Sequence, residues 1–126
     1  MNAAIINAVR NATLFAADKY RKATDLLERF DDALTADTEN AESEFRRVAE
    51  LSSEVEAFST DDKALTVKAL HAYADDLNRK QQALSDRYQT EAASLIATRV
   101  REVYQALDFV RTGQSESAAQ TESGEA

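Results

Sequence analysis

Side chains able to do chemistry are few in this chain and widely spaced. His71 is the single histidine, and Asp75, four residues on, would share its helical face. Two donors fall short of the three or four nitrogen or sulfur ligands that a zinc site needs. Carboxylates recur at helical spacing as Glu39 with Glu42 and Glu50 with Glu54, a pattern open to a hard cation or to acid–base work. In so acidic a stretch the same spacing describes a solvated helix face, and the Glu-x-x-His pairs of di-iron bundles are missing. The sequence holds no glycine-rich phosphate loop and no G-x-S-x-G elbow. No nucleophile, base and orienting group can be assembled. The expectation is a protein that is not an enzyme and needs no metal or cofactor.

Composition narrows the remaining classes. The 126 residues include no proline and no cysteine, and glycine only at Gly113 and Gly124. Disulfide and thiolate chemistry are excluded, and neither strong helix breaker occurs in the first 112 residues. The most apolar stretch, residues 3–17, is interrupted by Asn7, Arg10 and Asn11, short of the ~18–20 apolar residues of a membrane span. Its polar face offers only Arg10, which argues against a membrane-surface helix. With no basic segment ahead of an apolar run, the expected location is cytoplasmic, with a virion or secretion without a cleaved signal as alternatives.

The formal charge of −8 is unevenly spread. Residues 1–30 carry five basic and three acidic side chains, residues 31–62 two and eleven, and residues 63–111 eight and six. An acidic middle helix lying against two weakly basic neighbours fits this order, as does an acidic face that docks a basic partner. A pI near 4.6 opposes phosphate attraction, so nucleic acid is not the expected partner.

The elements follow from apolar spacing. Ile6, Val9, Thr13, Ala16, Tyr20, Ala23, Leu27, Phe30 and Leu34 alternate steps of three and four, which predicts a first helix over residues 3–34. A turn near residues 35–40, with Asp37 or Thr38 as cap, leads to a second helix over 38–58 carrying Phe45, Val48, Val55 and Phe58. Ser59 and Asp62 form a capping-box pattern opening a third helix over 61–111. Its seam runs Val67, Leu70, Ala74, Leu77, Gln81, Leu84 and Tyr88, then changes phase towards Ile96, as a four-residue insertion would produce. The fold class is all-α, an antiparallel bundle or coiled coil of three long helices. Residues 1–111 form one domain, and the small, polar, acidic stretch 112–126 is expected to be a disordered tail.

Length sets a constraint on that arrangement. At the α-helical rise the three rods would span roughly 50, 30 and 75 Å, so an unbroken third helix overhangs its partners. Either the chain bends near residues 85–92 into a fourth helix, or the overhang is covered by another copy or another protein. In the second case Ile96, Val100, Val103, Leu107 and Val110 are the partner-binding stripe, while Glu39, Glu42, Glu50 and Glu54 steer a basic surface. The leading functional expectation is a non-enzymatic protein–protein interaction module: an assembly factor, adaptor or chaperone, forming a homo-oligomer or binding another protein. Two alternatives are an acidic inhibitor mimicking nucleic-acid charge and a structural subunit of a phage virion or secreted filament. In helicity, acidity and its tail the chain is similar in style to helical export chaperones, small secreted helical hairpins and phage scaffolding factors.

Overall fold

A computed structural model of the chain describes residues 3–112. Thr112, the first residue of the tail expected over 112–126, is helical, and the rest of that stretch lies outside the described residues. All regular structure among the described residues is helical: α1 (Ala3–Leu27), α2 (Asp32–Glu50), a 3₁₀ segment (Ser52–Ala57), α3 (Thr60–Asp86) and α4 (Thr90–Thr112). Four α-helices replace the three expected from spacing alone.

The first correction concerns the end of α1. Apolar periodicity continues through Phe30 to Leu34, yet the helix stops at Leu27. Asp31 adopts extended backbone (φ −157°, ψ 110°), and its Oδ1 accepts the N–H groups of Ala33 at 2.9 Å and Leu34 at 3.3 Å. Those amides would otherwise lack partners, so the aspartate starts a fresh helix. Asp32 then places negative charge at the positive end of α2. Thr35 and Thr38, expected in a turn, lie inside α2 and donate their hydroxyls to the carbonyls of Asp31 and Thr35.

The second helix ends earlier than expected. α2 gives way at Leu51 to the 3₁₀ segment, within which Glu54 leaves helical geometry (φ −117°, ψ 36°). Ser52, Val55 and Phe58 are all buried, three residues apart. Ser52 and Val55 lie within the segment and Phe58 just past its end, and all three side chains turn into the core despite the break at Glu54. Arg10 of α1 donates from Nε to Ser52 Oγ at 3.1 Å and ties the segment to the bundle.

The Ser59–Asp62 capping box is present, with Ser59 Oγ accepting from Asp62 N–H at 3.1 Å and Asp62 Oδ2 accepting from Ser59 N–H at 3.4 Å. At the other end α3 stops in a Schellman motif: Tyr88 N–H reaches the Ser85 carbonyl and Gln89 N–H the Leu84 carbonyl. The left-handed position falls on Tyr88 (φ 60°) instead of the usual glycine. The chain therefore bends at residues 87–89, within the stretch singled out by the change of seam.

Packing pairs the helices in two hairpins. Contacts from α1 to α2 fall at Asp18–Arg46, Arg21–Glu42 and Thr24–Thr38, so the two run in opposite directions. α3 and α4 make the other extensive pair, and α1 also packs against the 3₁₀ segment, α3 and α4. The buried face of α1 is small: Ile5, Ala8, Val9, Ala12, Thr13, Ala16 and Ala17. Short side chains let several helices approach one helix closely. Phe45, Leu70, Val48, Val55, Val103 and Val110 supply the bulk around it. Thr13, wholly buried, satisfies its hydroxyl on the Val9 carbonyl at 2.8 Å.

Candidate functional site

The stripe expected to meet a partner lies mostly inside this molecule. Val103, Leu107 and Val110 are buried core residues, and Ile96 and Val100 are half-buried and packed on that core. The expectation that they lie bare assumed an unbroken rod. The turn at residues 87–89 folds α4 back along α3 and α1, and the stripe is covered from within.

The four glutamates are also separated by the fold. Glu42 is buried and bonded to Arg46 Nε at 2.8 Å, with Arg21 at 3.6 Å. Its charge is committed between α1 and α2. Arg46 also reaches Asp18 at 3.1 Å, and Glu42 first and Asp18 after it hold the guanidinium pKa above its ordinary value. Glu39 and Glu50 are exposed on α2, whereas exposed Glu54 sits in the 3₁₀ segment, off that helix. A parallel bridge joins Arg47 Nη2 to Asp62 Oδ1 at 2.7 Å and to Glu44 at 3.1 Å. The Arg47 hydrogen bond, aided by those from Ser59, holds the Asp62 carboxyl below its usual range. His71 and Asp75 lie exposed on α3. Among the described residues no group of three or more His, Cys, Asp or Glu is placed to hold a metal ion.

Two features with interaction chemistry emerge instead. The first is the α1–α2 turn, where Leu26, Phe30 and Leu34 are 73%, 82% and 48% exposed. Spacing assigned Phe30 and Leu34 to a buried seam; the Asp31 cap turns them outward. Glu28, Asp31 and Asp32 surround Phe30 in the chain, against one base, Arg29. The result is an apolar knob in an acidic collar.

The second is a slot of about 260 Å³ where α1, α2 and α3 meet. Ala16, Ala23, Ala69 and Ala72 line it with methyl groups. One wall is the stacked pair Tyr20 and Phe45, with ring centroids 5.6 Å apart and planes 18° from parallel. Lys19 and Lys68 complete the lining, which includes no carboxylate. Lys68 Nζ lies 3.3 Å from Tyr20 Oη and donates to it, and Lys19 Nζ lies 5.0 Å from the centre of the Phe15 ring. Both ammonium groups thus lie against aromatic rings beside the slot. Ala16 and Ala23 were visible in the sequence as seam positions and Ala69 and Ala72 were not, and whether methyl groups close a seam or leave a hollow depends on which helices meet there.

No protein-family model matches this chain, nor does any curated protein or solved structure. No helix among the described residues is long and apolar enough to cross a membrane.

Proposed function

We propose that this chain is a non-enzymatic protein–protein interaction module, of the adaptor or assembly-factor kind, that binds through the end of its α1–α2 hairpin. The observation that carries this reading is the exposure of Leu26, Phe30 and Leu34 together at one turn. Isolated exposed apolar residues are common, but three large ones in one short stretch around a turn are more than that background and suit an interface. Burying each offers roughly 1.5–3 kcal/mol, which offsets part of the entropic cost of association. Aromatic anchors of this kind dominate binding energy when a partner pocket encloses them. The acidic collar adds orientation, since charges at an interface rim steer encounter and choose partners. Asp31 serves both structure and presentation, because its cap breaks the helix where Phe30 must point outward.

The test compares proteins retained by the immobilised wild-type chain and by a Leu26→Ser/Phe30→Ser variant from the same extract, with both chains checked by circular dichroism. Specific loss of retained proteins by the folded variant supports the reading. Equal retention by both sinks it.

A further inference from the structure

The knob and the slot are complementary in shape and in charge. An exposed phenyl ring, flanked in the chain by the acids Glu28, Asp31 and Asp32, faces solvent at the α1–α2 turn. Elsewhere on the same chain, an apolar slot carries two ammonium groups and no acid. We propose that Phe30 of one copy docks in the alanine-lined slot of a second copy, with its carboxylates meeting Lys19 and Lys68. This rests on the interaction-module reading and names the partner.

Size agrees with the assignment. A cavity of about 150 Å³ suffices for benzene, and the slot measures about 260 Å³. Half-buried Tyr20, backed by the buried Phe45 ring, offers an aromatic surface to an incoming ring, and aromatic pairs favour tilted or offset contacts. Reach within one molecule does not serve. Ala23, at the slot, lies within α1, whereas Phe30 sits in the turn beyond the helix end at Leu27, and its 82% exposure shows that it does not fill the slot of its own molecule. A second copy is needed to bring them together. Two copies related by a two-fold axis would exchange knobs reciprocally, the closed arrangement most homodimers adopt.

Sedimentation equilibrium on the purified full chain tests this, from about 10 μM to about 1 mM, where weak interfaces populate. The wild type is expected to self-associate, and less so when salt rises from about 50 to about 500 mM, because screening weakens the charge contacts. Phe30→Ser should weaken association at least about tenfold. Glu28→Lys/Asp32→Lys and Lys19→Glu/Lys68→Glu should each weaken it, and the variant carrying all four changes should recover it. Circular dichroism establishes that each variant is folded, and recovery in the fourfold variant cannot come from a folding defect. A wild type that stays monomeric throughout overturns self-docking and leaves binding to a foreign partner intact. Association unaffected by Phe30→Ser, or no recovery in the fourfold variant, overturns the knob-and-slot assignment.

Discussion

Asp62 carries three duties at one carboxyl: it completes the capping box of α3, bridges to Arg47 of α2 and lies mostly out of water. Asp62→Ala is expected to lower stability by about 1–3 kcal/mol, because a cap and a charge-assisted bond are lost together. The pH dependence has a definite sign. The folded-state pKa is held below the unfolded value, chiefly by Arg47, so the contribution is complete above about pH 4 and disappears as pH falls through the folded value. Urea titrations of wild type and Asp62→Asn should therefore differ at neutral pH and converge in acid. A gap that persists unchanged at low pH would contradict this account. Phe45 is a contrasting case, since its ring is buried against Tyr20 and helps to wall the slot. Phe45→Ala should cost about 3–5 kcal/mol, read from the denaturation midpoint, and would damage fold and slot together.

At the scale of elements, the two tight turns set what the helices bury and what they expose. Tyr88 holds a left-handed backbone that a side chain disfavours by about 1–2 kcal/mol. Tyr88→Gly should raise the melting temperature by a few degrees, since glycine meets that geometry without steric cost and its greater unfolded-state entropy offsets only part of the gain. A drop would mean that the exposed Tyr88 ring makes stabilising contacts. Helix content and the Ser59–Asp62 cap were legible in the sequence because each rests on local chemistry, whereas the bend near residue 88 was only one of two readings, since no glycine or proline marks it. Both ends of the α1–α2 turn were misplaced for one reason. Apolar spacing runs on from Leu27 to Phe30 and Leu34, while a single aspartate ends the helix and points the last two outward. Periodicity reports which residues could share a face but is silent on whether the backbone stays helical. The slot was invisible for a different reason: it depends on three helices meeting, and no single helix encodes that.

For the whole molecule, the decisive outcome is that α4 returns to the core. Leu107→Ala should then lower unfolding free energy by about 2–5 kcal/mol, at any protein concentration. If Leu107 instead faced a partner, the dilute chain would lose nothing. Amide exchange gives the complementary view, with α1 amides in residues 8–17, inside the helix, protected most strongly and those in residues 28–31 and 87–89, in exposed turns, exchanging sooner although several are hydrogen-bonded.

The small-residue face of α1 also bears on how the chain is made. Ile5 and Val9 leave the ribosome early, but Val103, Leu107 and Val110 of the same core belong to the last helix. At about 5–20 residues per second, roughly 5–20 s of synthesis separates the first helix from its final cover. The face of α1 that waits for this cover is mostly alanine and threonine, with Ile5 and Val9 its larger apolar members. A face built from leucine and phenylalanine would spend the same seconds open to aggregation, so thin side chains on α1 suit a helix that must wait for its neighbours.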